Sequence, residues 1–154
     1  LEREYERQLQ AFVEKTGRRP THVDTHHHLH GRPLFAAAVL RVAGRHGLPV
    51  RRSAAIRPSA VRTTDFFFGS LRPEHHWTAP ALETVLRHLP PGLSEIMSHP
   101  GRADAQLSAV SSFCQGRQAE WKLLRRSRWR RRLAAEGIRL GHYGDFFKPK
   151  ARTT

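Results

Sequence analysis

The chain has 154 residues and carries 27 basic against 13 acidic side chains, a net charge of +14 with its eleven histidines neutral. This length suffices for one domain or part of one. The single cysteine, Cys114, excludes an internal disulfide framework and a cysteine-based zinc finger. No apolar run is long enough to cross a membrane and no signal peptide is visible, so we expect a cytoplasmic protein without membrane contact.

The basic charge is mostly arginine and is spread along much of the chain. A strongly basic protein favours nucleic acid or anionic surfaces. An arginine-rich and alanine-rich composition is equally a product of GC-rich coding, so charge alone says little about the partner. We do not expect nucleic acid to be the ligand, and a basic nucleic-acid-binding module is kept as the non-enzymatic alternative.

The hydrophobic periodicity predicts helices that alternate with short strands. The predicted helices cover about 1–16, 33–45, 78–88 and 112–136, and the strands cover 21–24, 48–51, 93–98 and 138–142. Between them, the run Phe66-Phe67-Phe68 predicts a core-facing strand or lid, with a sugar-stacking platform as the alternative. Such alternation indicates an α/β fold with a parallel sheet. A complete eight-stranded barrel needs about 250 residues, so we expect the later part of one.

Five histidines and one carboxylate fall in the ten residues from Thr21 to His30. Neutral imidazole is the commonest protein ligand for metals. If an extended strand runs through this stretch, side-chain alternation places four groups on one face: Asp24, His26, His28 and His30. The pattern therefore predicts a functional metal site, in which some histidines hold the ligands in place rather than bind the ion.

Another histidine, His99, follows the predicted strand at 93–98 and precedes Pro100 and Gly101. In parallel α/β folds the ligand site gathers at the carboxyl ends of the strands. His26 and His99 both fall at or just past such ends. We therefore expect the two imidazoles to face one pocket.

Two stretches resemble a known family. Pro20–His30, which reads Pro-Thr-His-Val-Asp-Thr-His-His-His-Leu-His, resembles the signature Pro-Thr-His-hydrophobic-Asp-Ser-His-x-His-x-His of the YdjC-like carbohydrate deacetylases, also called the ChbG/HpnK family. Leu93–Gly101, followed by Asp104, is similar to the family's second signature. A further family segment, Ser-Ser followed by Arg-x-x-Glu, is matched by Ser111, Ser112, Arg117 and Glu120.

The resemblance implies a deformed α/β barrel, a divalent metal (zinc or magnesium) and removal of acetyl groups from N-acetylated sugars such as chitooligosaccharides. Of the family's three metal ligands, only the first histidine after Asp-Ser maps onto this chain, at His26. The other two ligands and the neighbouring catalytic base would precede Leu1. Because the sequence opens without methionine inside a helical pattern, we expect a part of a longer protein that is inactive by itself.

The chemistry of deacetylation assigns further roles. Amide hydrolysis needs an acid that protonates the departing amine, and His99 suits this role, with a structural position before Pro100 as the alternative. Asp24 is predicted to orient an imidazole, and His28 and His30 line the sugar site or support His26. The resemblance also implies two residues that position groups or bind substrate: Asp104 and Arg117.

One rival enzyme class shares part of the pattern. Asp-x-His-x-His at a strand end also opens the barrel of amidohydrolase-type metal hydrolases, where both histidines bind the metal. In that class the strand would be the first of the barrel, yet here a helix is predicted before it, and the His99-Pro100-Gly101 segment has no natural place. We expect residues 1–147 to form part of one deacetylase domain and residues 148–154 to form a disordered basic tail. A homodimer is one option for the oligomeric state.

Overall fold

The computed structural model of the protein describes residues 1–56, 58, 61–70 and 75–147. The α-helices in this part are α1 (Glu2–Thr16), α2 (Pro33–His46), α3 (Ala79–Arg87), α4 (Ala105–Val110), α5 (Gln115–Leu124), α6 (Arg128–Ala135) and α7 (Tyr143–Phe146). Strands β1 (Phe66–Phe68) and β2 (Ser94–Ile96) pair in parallel. A parallel bridge also joins Val23 to Val50. The predicted α/β class with parallel strands is confirmed, while the predicted tail 148–154 lies outside the described residues.

The chain divides into two compact units, residues 1–65 with 141–154, and residues 66–140. The core of the first unit is made by α2 and the segment after it, through Val39, Ala43, Leu48 and Val50. Helix α1 packs on this core only with half-buried side chains such as Tyr5. Glu2 and Glu6 of this helix pair with α2, and the hydrogen bonds from His46 and then Arg45 lower the pKa of Glu6.

The second unit is built around α3, α5 and α6. Its buried core consists of Leu82, Leu86, Leu123 and Trp129. Helix α3 begins as the sequence predicts, because the Thr78 hydroxyl accepts the Ala81 N–H at 3.4 Å. None of the helices in the described part of the chain is long and apolar enough to span a membrane.

The single long helix predicted at 112–136 is wrong. Helix α5 begins at Gln115 without a side-chain cap and ends at Leu124, and α6 starts only at Arg128. The indole N–H of Trp129 donates to the Leu123 carbonyl oxygen at 2.7 Å. In an uninterrupted helix this oxygen would accept the backbone N–H of the residue four positions later. The break therefore lets Trp129 turn into the core while most of the arginines around it remain exposed.

The strand predicted at 138–142 is also wrong. These residues are irregular, and Leu140 is 76% exposed, so the segment lacks the burial that supports a strand. Its last residue, His142, instead caps α7: its ring accepts the Gly144 N–H at 3.0 Å, and its own N–H donates to Asp145 at 2.9 Å. Local side-chain bonds of this kind compete with sheet pairing.

Gly69 is a glycine of the second unit at which we expect a substitution to be costly. Its φ of +144° is unfavourable for other residues, and an added Cβ would lie 2.9 Å from Met97 Cβ. Gly69→Ala should lower the free energy of unfolding by about 1–3 kcal/mol. Chemical denaturation measures this, with Gly101→Ala as the control, because a Cβ there would meet Arg117 Cβ at an ordinary 3.7 Å. Equal losses in both variants would contradict the steric argument.

Candidate active site

The segment His26–Gly31, here called the histidine turn, is a 3₁₀ helix and not an extended strand. The predicted alternation of Asp24, His26, His28 and His30 on one face is therefore wrong. Regular pairing stops at Val23, after which the Thr25 carbonyl accepts the His28 N–H at 3.0 Å. A threonine side chain that bonds nearby backbone favours a turn over a strand, and the Thr25 hydroxyl accepts the His30 N–H at 3.0 Å.

Two consecutive residues of the histidine turn have left-handed backbone conformations. His27 and His28 both have φ of 54°, a region that non-glycine residues visit at a cost. Strain of this sort is concentrated at functional sites and persists where the surrounding structure enforces it. The turn thus holds its imidazoles in positions that neither a strand nor a regular helix would give them.

His30 is the buried histidine of the turn. Its side chain is fully buried, and its Nδ1 hydrogen-bonds the Thr25 hydroxyl at 2.7 Å. Its carbonyl accepts the Ser53 hydroxyl at 3.2 Å, and its ring lies 4.2 Å from that of His28. The two roles predicted for His30, lining the sugar site or supporting His26, stay predictions.

His26 lies three residues beyond the bridge at Val23 and is exposed. Its ring lies against that of His27 with centroids 4.1 Å apart and the ring planes tilted by 51°. Among the residues that the structure describes, none hydrogen-bonds either of its ring nitrogens. His26 therefore offers an imidazole nitrogen to an external ligand, as its predicted role requires.

His26 also lines a cavity of about 420 Å³ within the first unit. The walls combine apolar side chains of α1 and α2 with the polar residues that lead into the histidine turn. They are formed by Tyr5, Gln8, Leu9, Phe12, Pro20, Thr21, His22, Val23, Asp24, Thr25, His26, Leu29, Val39 and Val42. The volume falls in the range of pockets that hold small molecules.

Asp24 pairs with a guanidinium in the structure. Its carboxylate lies 2.5 Å from Arg51, and both side chains are less than one-third exposed. Asp24 and Arg51 flank the bridge between Val23 and Val50, so the ion pair fastens the two segments just before the histidine turn. The predicted contact of Asp24 with an imidazole stays a prediction.

His99 lies three residues after β2 and is half-buried. Its backbone N–H donates to Glu120 at 2.5 Å, and its ring meets the Phe113 ring edge-on with centroids 5.7 Å apart. No residue in the described ranges hydrogen-bonds a ring nitrogen of His99. The side chain is thus fixed by its surroundings while its nitrogens remain available for proton transfer. His26 belongs to the first unit and His99 to the second, and their shared pocket stays a prediction.

The two other predicted residues have structural contacts. Asp104 caps α4 by accepting the Leu107 N–H at 2.9 Å. The hydrophobic periodicity did not predict helix α4. Arg117 lies over the Phe113 ring at 5.4 Å, and its carbonyl accepts the Gly101 N–H at 3.1 Å. Their predicted contacts with substrate are untested by the structure. The sequence analysis assigned no role to Glu120. The Arg-x-x-Glu segment contains Glu120 but does not reveal that this side chain is buried.

A divalent metal fits the candidate site in part. The exposed His26 supplies one nitrogen donor with no competing hydrogen bond from the described residues. Within the described ranges, no three His, Cys, Asp or Glu side chains gather into a group that could hold a metal ion. The residues described here therefore fit one ligand of a metal shell.

Comparison with known proteins agrees with the two motifs. The sequence model of the family described as YdjC-like protein matches residues 1–135. The chain is 32% identical to a carbohydrate deacetylase of Geobacillus stearothermophilus, over 96% of its own length and 60% of that protein. It is 33% identical to a chitooligosaccharide deacetylase of Serratia marcescens, over 94% of its own length and 60% of that protein.

A solved structure supports the same relationship. The crystal structure of an Enterococcus faecalis protein named for cellobiose-phosphate cleavage matches with a TM-score of 0.76 and 26% identity, over 95% of this chain and 60% of that one. The chain belongs to the YdjC-like family. Its α/β structure with parallel strands is consistent with a partial barrel, and it spans about 60% of the length of the relatives it matches.

Proposed function

We propose that the protein containing this chain is a metal-dependent hydrolase that removes acetyl groups from N-acetylated sugars of the chitooligosaccharide type. Two relatives named carbohydrate deacetylase and chitooligosaccharide deacetylase support this substrate class. The observation that carries the proposal is His99, whose ring is packed against Phe113 while its ring nitrogens have no hydrogen-bond partner among the described residues.

The proposed roles follow from the chemistry of the amide bond. A bound zinc or magnesium ion would polarise the acetyl carbonyl. His26 would supply one of the nitrogens that hold this ion. The oxygen of a water molecule would form the new bond to the acetyl carbon, with its proton passing to the catalytic base that the resemblance places before Leu1. His99 in its protonated form would donate a proton to the sugar nitrogen as the carbon–nitrogen bond breaks, because an amine leaves poorly as an anion, so that acetate and the free amine are the products.

Acetate release from N-acetylated chitobiose tests the proposal. We expect the complete gene product to release acetate when zinc or magnesium is present and to stop when a chelator removes the metal. An N-acetylated amino acid serves as the matched control, because it carries the same amide without the sugar. Absence of acetate release in the presence of either metal, or release that a chelator leaves unchanged, would refute the proposal.

A further inference from the structure

We infer that Glu120 is a positioning residue that holds His99 in place for proton transfer. The inference rests on the proposed function, in which His99 is the acid. In this role the buried carboxylate of Glu120 on α5 supports the reaction through His99 and does not touch the substrate. The contacts that carry it all lie within the second unit.

The carboxylate of Glu120 connects two loops. Its side chain is only 2% exposed. One oxygen accepts the Trp77 N–H at 3.0 Å and the other accepts the His99 N–H at 2.5 Å. The indole of Trp77 in turn donates to the Met97 carbonyl at 2.8 Å. Glu120 thereby ties the segment before α3 to the segment after β2 in a closed set of hydrogen bonds.

The rest of α5 continues the same pattern along the chain after His99. The Gly101 N–H donates to the Arg117 carbonyl at 3.1 Å, and the Ala103 N–H donates to the Gln118 side chain at 3.0 Å. In an extended segment every second amide points to the same side. Helix α5 therefore accepts the amides of three alternate residues: His99, Gly101 and Ala103.

A carboxylate is the side chain that this position requires. Both of its oxygens accept hydrogen bonds, whereas the amide of glutamine has one acceptor and one donor. In Glu120→Gln one of the two backbone N–H groups must face an NH₂ group, so one of the bonds is lost. Burial of a carboxylate is costly unless it is hydrogen-bonded, which explains why both oxygens are used.

The decisive experiment compares kcat and KM for N-acetylated chitobiose in the complete protein. Glu120→Gln should lower kcat about tenfold and leave KM nearly unchanged, because small displacements of a catalytic group reduce turnover rather than binding. In a His99→Ala background the same substitution should have no further effect on kcat, because Glu120 acts through His99. An equal loss in both backgrounds, or full turnover in Glu120→Gln, would overturn the inference.

Glu136→Gln is the matched control, because it makes the same chemical change at an exposed carboxylate that pairs with Arg132 on α6. It should retain the kcat of the unmodified protein.

Amide hydrogen exchange in the unmodified protein provides a test that needs neither a folded variant nor activity. The His99 and Trp77 amides should exchange slowly, and rapid exchange at both would overturn the inference. An inactive protein with protected amides would refute the proposed function, and the role of Glu120 in proton transfer with it, while the hydrogen bonds from the His99 and Trp77 amides to Glu120 would still stand.

Discussion

Replacing His99 by alanine should lower the deacetylation turnover of the complete protein by about a hundredfold or more, the usual contribution of general acid–base catalysis. The amine of the sugar leaves poorly unless it is protonated while the carbon–nitrogen bond breaks. His99 is suited to this step because its ring is held by Phe113 and its backbone by Glu120, with no described residue on its ring nitrogens. The bound metal should remain, since we assign His99 to proton transfer.

Steady-state acetate release and metal analysis of the same samples measure this expectation. His88→Ala is a suitable control, because His88 is exposed at the end of α3 and its ring hydrogen-bonds the Thr84 carbonyl on the same helix. Near-normal turnover in His99→Ala would exclude the proton-transfer role. Loss of metal together with turnover would instead identify His99 as a ligand.

Replacing His26 by alanine should remove metal and activity together. His26 is exposed, follows the bridge at Val23, and presents ring nitrogens that no described residue occupies. Loss of one ligand from a small metal shell weakens binding strongly, because structural and catalytic sites rely on three or four protein donors. Metal content after dialysis should therefore fall along with acetate release, in contrast to His99→Ala.

The 154-residue chain gives a second measurement of the same assignment. Zinc titration followed by calorimetry should show weak binding that His26→Ala reduces further, because a single imidazole cannot fill a tetrahedral shell. His88→Ala should bind zinc as the unmodified chain does. Equal binding by the unmodified chain and His26→Ala would move the site to another histidine. We also expect no deacetylation by this chain alone, since only one of the family's three ligands maps onto it.

The features that the sequence predicts well are those with local causes. Helices α1 and α2 end where Gly17 and Gly47 adopt left-handed conformations, with φ of 63° and 60°. Helix α3 begins at the Thr78 cap. The position of His99 just past a parallel strand also follows from the hydrophobic pattern around it. For the three helices, the residue that ends or begins the element is adjacent to it in sequence.

The predictions that failed depend on contacts that periodicity does not encode. The histidine turn follows from the hydroxyl of Thr25 reaching the His30 amide, which alternation of side chains does not reveal. The break between α5 and α6 follows from Trp129 reaching the Leu123 carbonyl. Glu120 is buried because two amides from different loops converge on it, and a glutamate in an amphipathic pattern is ordinarily assigned to the exposed face.

The left-handed pair His27 and His28 has a consequence for protein engineering. Each residue holds a conformation that costs about 1 kcal/mol or more for a non-glycine side chain, and glycine or asparagine would hold it more cheaply. A design procedure that optimises sequence against this backbone would therefore replace both imidazoles and report a more stable protein. In this turn thermal stability and ring chemistry oppose each other, so a stabilised variant should be sought with positions 26 to 30 kept fixed.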